Sequence, residues 1–144
     1  MKKIAIATLC MGLLASSSAF AAPTPIEIED GYNAVGSTTE DINIARQFTI
    51  TAIPDRAGFI KNNFDATLSA NVIAGIVDDS TNNRLGVIAG SNRGYTVFTG
   101  STVGGSVTQC GPQIAKTEAG LASSAVLEAS IDLDEANGCG IETP

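Results

Sequence analysis

Read as a string of apolar and polar positions, the chain alternates over much of its length. In "FDATLSANVIAGI" (64–76) every second residue is apolar: Phe64, Ala66, Leu68, Ala70, Val72, Ala74 and Ile76. Asp65, Thr67, Ser69 and Asn71 oppose them, and after Asn71 both faces turn apolar. Side chains of an extended strand point alternately to its two faces, so this is a strand that passes from a half-wet to a covered position, with a bulge expected near Gly75. A helix would need apolar residues at spacings of three and four. The same period runs through "DINIARQFTITA" (41–52), where Ile42, Ile44, Phe48, Ile50 and Ala52 share one parity that only Arg46 breaks. Pro54 ends that strand.

Further strands are expected at "LGVIAG" (85–90) and "YTVFTG" (95–100), with a last clear one at "SAVLEASIDLD" (124–134), where Ala125, Leu127, Ala129, Ile131 and Leu133 share a face. Gly-, Asn- and Ser-rich turns separate them: "DDSTNNR" (78–84), "SNRG" (91–94) and a bend at Gly104-Gly105. One helical turn is expected around 113–119. The segment before residue 41 is polar and turn-rich, with room for a short strand around 26–28. Six or seven short strands without a long amphipathic helix between them predict an all-β antiparallel sandwich, since a sheet with one dry face must find a second layer.

The start of the chain changes the count of residues that fold. Lys2 and Lys3 precede an apolar run, "IAIATLCMGLL" (4–14), and Ala19 and Ala21 stand at the small-residue positions of a cleavage site. This reads as a secretory signal over 1–21. The run is shorter than the roughly 20 apolar residues that span a bilayer. The expected organisation is a signal peptide (1–21), a polar N-terminal segment (22–40) and one β-sandwich domain (41–144), exported to the periplasm, cell surface or beyond, with no integral membrane segment in the mature chain.

Charge and cysteine narrow the chemistry. The full chain has 8 basic and 15 acidic residues, net −7; loss of Lys2 and Lys3 takes the mature chain to −9. The remaining basic residues are scattered, so nucleic acid is not an expected partner. Cys10 leaves with the signal, and Cys110 and Cys139 form an even pair in an exported chain, which predicts a disulfide. There is no histidine, which removes Ser-His-Asp and Cys-His nucleophiles and the usual zinc sites. Paired acids remain for a hydrolase, but few aromatics accompany them to line a sugar cleft, and no enzyme activity is expected. No cofactor is expected either, save calcium: "DLDEANG" (132–138) offers oxygens from Asp132, Asp134 and Asn137, although Ala136 stands where an EF-hand loop needs a third ligand.

"ARQFTITAIPD" (45–55) resembles the opening strand of the alpha, or colonisation-factor, class of chaperone–usher pilins. Arg46, Gln47, Phe48, Thr49, Ile50, Thr51, Ala52 and Asp55 match that strand in kind. The resemblance implies an immunoglobulin-like sandwich and an exported fimbrial or cell-surface subunit. It implies assembly by strand pairing through Ile42, Ile44, Phe48, Ile50 and Ala52, with self-association or other surface subunits as partners. The rival expectation is a soluble periplasmic or secreted binding module, calcium-linked through the acidic loops, with Arg93, Tyr95 and the 78–83 loop as contacts.

Overall fold

The structure is a computed structural model that describes residues 23–36, 42–55, 57–116 and 120–141. The expected signal segment, and part of the helical turn expected at 113–119, lie outside the described residues. The fold is all-β. Among the described residues eight strands are formed: β1 (Thr24–Ile28), β2 (Gly31–Val35), β3 (Arg46–Ala52), β4 (Phe64–Leu68), β5 (Val72–Asp79), β6 (Arg84–Ser91), β7 (Thr96–Ser101) and β8 (Gly104–Gln109). They make a three-stranded sheet in the order β1-β3-β4 and a five-stranded sheet in the order β2-β5-β6-β7-β8. All pairings are antiparallel except that of β1 with β3.

Alternation explains how the layers meet. On β3, Phe48 and Ile50 point inward and are buried, while Gln47 and Thr49 point outward. Thr49 Oγ1 donates to Asp65 Oδ1 of the opposite residue on β4 at 2.8 Å. From the other sheet Val35, Ala74 and Ile76 meet Ile28, Phe48 and Ile50, and this is the inter-sheet core. Arg46, the residue that breaks the apolar parity, also points inward. Its Nη2 donates to the Val72 carbonyl, so the guanidinium spans the two sheets at one end of the core.

The alternating stretch 64–76 is not one strand. It breaks at 69–71 into β4 and β5, which belong to different sheets. Asn71 takes a left-handed conformation (φ 63°), which asparagine tolerates better than most residues. Its N–H bonds to the Ile42 carbonyl at 2.5 Å. The chain therefore turns a corner where the pattern predicted continuity, because alternation records which face is dry and not which sheet supplies the partner. The bulge expected near Gly75 is absent: Gly75 pairs in register with Ile88. Its missing side chain instead makes room for the Tyr32 ring, whose atoms stand 2.4 Å from where a Cβ would be. The register irregularity falls between β7 and β8, at Thr99/Ser101.

Two other expectations change. The polar segment 22–40 is not separate from the sandwich, since it contributes β1 to one sheet and β2 to the other. The strand expected at 124–134 is not formed. The chain there runs through a helical turn, α1 (Leu121–Ser124), and a 3-10 turn (Glu128–Ser130), with a single bridge between Ile131 and Cys139. Leu121, Ala125 and Val126 are buried against Ile73, Ile88 and Val97 on the outer face of the five-stranded sheet, and Leu133 is buried over Gly86. Small residues alternating with polar ones satisfy a strand and an irregular cover alike. Gly86 and Gly90 of β6 flatten the sheet under this cover: a Cβ at Gly90 would stand 2.8 Å from Val126 Cγ2, and one at Gly86 2.7 Å from Leu133 Cδ2. The expected disulfide is formed, joining Cys110 after β8 to Cys139 in the cover.

Candidate functional site

Two corner links determine how far the small sheet reaches. β1 and β2 are separated by Glu29 and Asp30 alone, and β4 and β5 by residues 69–71. Links this short can do little more than step across the roughly 10 Å between stacked sheets. The small sheet packs on Val35 of β2 and on Ala74 and Ile76 of β5, reaches Leu85 and Ala89 of β6, and makes no core contact with β7 or β8.

The side chains record that overhang. Phe64 of β4 pairs with Ile50 and faces the same way, yet it is 48% exposed. On the five-stranded sheet, Val87, Phe98 and Val107 lie on the face turned toward the small sheet and are 38%, 45% and 74% exposed. With Leu85 and Ala89 they line an open apolar groove of about 290 Å³. Leu85 and Ala89 also pack against the inter-sheet core, so the groove is a continuation of that core without its second layer. Gly100 keeps it open to Val107, whose Cγ2 stands 2.9 Å from where a Cβ would be.

Among the described residues, edge strands border this surface. β4 and β8 are each the last strand of their sheet. An edge strand presents unpaired N–H and C=O groups that another chain can extend, and natural sheets usually guard such edges with charge or proline. β1 carries Pro25 and Glu27 and β4 carries Asp65, whereas β8, "GGSVTQ", has neither charge nor proline.

The residues expected to carry strand pairing are placed elsewhere. β3 is the central strand of the small sheet, paired on both sides by the chain itself. Phe48 and Ile50 belong to the inter-sheet core, and Ala52 ends the strand with its N–H bonded to Asn63 Oδ1 at 2.9 Å. Ile42 packs against the core under the C-terminal cover, and Ile44 is exposed before β3 begins. In this conformation β3 has no edge to offer. The pairing edges of the described residues are those of β1, β4, β2 and β8.

The calcium candidates are near one another in sequence but bonded apart. Asp132 Oδ1 accepts from the Asp134 N–H at 2.8 Å. Asp134 Oδ1 accepts from Arg84 Nη1 at 2.9 Å. Asn137 donates through Nδ2 to Thr108 Oγ1 and accepts at Oδ1 from the Cys139 N–H. Among the described residues no group of three or more Asp, Glu or Cys side chains is arranged to share a metal ion. In the 78–83 loop Asp78 is fully buried, where its Oδ1 accepts from the Phe59 N–H at 2.7 Å, so it anchors the 57–60 loop and offers no surface contact.

Arg84, at the start of β6, is the best-connected side chain of this region. It donates to Asp79 Oδ2 through Nε and Nη2, and through Nη1 to Asp134 and to the Leu133 carbonyl. Asp79 also accepts from the Asn82 amide and from the Thr81 and Asn82 N–H groups. These bonds, the Asn82 contacts first and Arg84 after them, hold the Asp79 carboxyl at a pKa of about 2. Hydrogen bonds to the charged form favour it. A carboxyl lowered on folding stabilises the fold fully above its unfolded pKa, near 3.8, and loses that contribution as pH falls through about 2. In an NMR titration Asp79 should therefore stay ionised at pH 3, where freely exposed carboxylates are largely protonated. A midpoint near 4 would show that the loop bonds do not persist in solution.

The open strip of Val87, Phe98 and Val107 was not singled out by the sequence pattern, because both faces of β6 read as apolar and nothing in 85–107 says which one is covered. The disulfide is compatible with export, and no helix among the described residues is long and apolar enough to cross a membrane. No family model, no curated protein and no solved structure matches this chain.

Proposed function

We propose that the chain is an exported, non-enzymatic structural subunit of a fimbrial or other cell-surface assembly, which associates by β-strand pairing. The observation that supports this reading is the unfinished sandwich: an apolar groove over β6–β8 that continues the inter-sheet core without its second layer, bordered by the edge strands of the described residues. A strand is the occupant that answers both needs of such a place, since it fills the groove with alternate side chains and supplies backbone partners to an edge. The strong acidity favours solubility of the separate subunits, and the groove itself is lined without charge. The pairing surface in this reading is the groove and its edges, with β3 as fixed core.

Analytical ultracentrifugation of the mature chain tests the proposal. Self-association that grows with concentration is expected, and Val107→Lys should reduce it at least tenfold while leaving the melting temperature within a few degrees, as for an exposed site. A wild-type chain that remains monomeric at every concentration would sink the reading.

A further inference from the structure

We propose that 121–141 is a cover that opens as one unit from the five-stranded sheet, with the Cys110–Cys139 bond as its latch. The pattern of hydrogen bonds points to this. Every backbone–backbone bond found among the described residues of this segment closes within it: Ala125 and Val126 to Leu121, Ser130 to Leu127, Ile131 to Glu128, Asp132 to Gly138, Glu135 to Asp132, Gly138 to Glu135 and Gly140 to Ser130. The segment has its own small hydrogen-bonded scaffold and no ladder to the strands it covers.

Its attachment runs through side chains instead. The Tyr32 hydroxyl donates to the Val126 carbonyl at 3.1 Å, Arg84 to the Leu133 carbonyl and Asp134 at 2.9 Å, and Asn137 to Thr108 at 2.9 Å. The Leu121 N–H reaches Asn92 Oδ1 at 3.4 Å. Burial, and after it the charge of Glu128, holds the Tyr32 hydroxyl above its ordinary pKa, so it remains a donor. Packing on Ile73, Ile88 and Val97 completes the contact, and beyond the main chain itself the covalent tie among the described residues is Cys139 to Cys110. Lifting the cover breaks no strand ladder. Regions attached in this way open locally, below the free energy of global unfolding. The opening uncovers a second apolar face, centred on Ile88 and Val97 and smoothed by Gly86 and Gly90. This proposal does not depend on the pairing groove, which lies on the opposite face of the same sheet.

Native-state hydrogen exchange on the mature chain, read by mass spectrometry, tests it with two variants. In Cys110→Ala/Cys139→Ala the latch is removed. In Gly90→Val the disulfide stays and the added side chain meets Val126 and Leu121, propping the cover from beneath. Both should raise exchange across 121–141 by roughly tenfold or more and leave the cover less protected than peptides of β5 and β6, whose protection falls only by the global loss of stability, with increased binding of an apolar dye. If the double variant does not fold, Gly90→Val alone decides. Uniform loss of protection in cover and sheet together, or unchanged exchange of the cover in Gly90→Val, would overturn the proposal.

Discussion

Phe48→Ala should destabilise the folded chain by about 3–5 kcal/mol and lower its melting temperature by roughly 10–20 °C. Phe48 is 1% exposed and is the largest fully buried side chain among the described residues. It stands on the central strand of the small sheet and packs with Ile28, Ile50 and Ile76 between the layers. Removing the ring takes away its transfer energy and leaves a cavity that two hydrogen-bonded sheets cannot close. The effect separates two roles for the same residue. If 42–52 were a strand held ready for another molecule, alanine at 48 would weaken assembly and leave the isolated chain as stable as before. Thermal or urea unfolding of the variant therefore reads the place of β3 directly. A loss under about 1 kcal/mol would show that β3 is not the core strand in solution.

Removal of the disulfide should be the other large effect. The bond joins residues 29 apart, and the chain-entropy model assigns such a loop about 3.5 kcal/mol of stabilisation through the unfolded state. Cys110→Ala/Cys139→Ala should therefore unfold at lower denaturant with an unchanged or larger denaturant slope. Cys110 is itself buried among Ile88, Val97 and Leu121, so alanine there adds a small packing loss to the entropic one. Both variants report through equilibrium unfolding followed by circular dichroism. Indistinguishable midpoints for the wild type and the double variant would mean that the cover contributes little to the folded state.

Particular residues show what was legible before any coordinates. Phe48 and Ile50 were on the dry face of a strand by parity alone, and they are buried. The turns at 80–83 and 92–95 follow from their Asn, Ser and Gly content, with Asn83 and Tyr95 in left-handed conformations (φ 54° and 53°). Cys110 and Cys139 were a pair by number and export context, and they are bonded. Where the reading went astray, the local signal was sound and the partner was missing from it. Residues 64–76 alternate throughout, yet the chain changes sheets at Asn71. Residues 124–134 alternate as well, yet they lie flat on a sheet face and pair with no strand.

The candidate groove was illegible for the same reason. Val87 and Phe98 read as ordinary strand residues, and Val107 as a lone apolar residue beside glycines. Their exposure depends on where the small sheet stops, which is set by the two short corners at 29–30 and 69–71. The calcium candidates Asp132, Asp134 and Asn137 stand close in sequence, but each makes its own hydrogen bonds in the fold, Asp134 with Arg84 from fifty residues away.

What the sequence by itself determined is the local rule of construction: extended strands with a dry side, polar turns between them, and one pair of cysteines to join. Those follow from side-chain alternation and backbone preference, which act over a few residues. Tertiary structure alone decided which dry side meets which. It set β3 at the centre of a sheet, turned the C-terminal strand pattern into a cover, and left β7 and β8 without a second layer. These outcomes depend on contacts between segments far apart in the chain, and period-two alternation carries no label for the surface that will bury it.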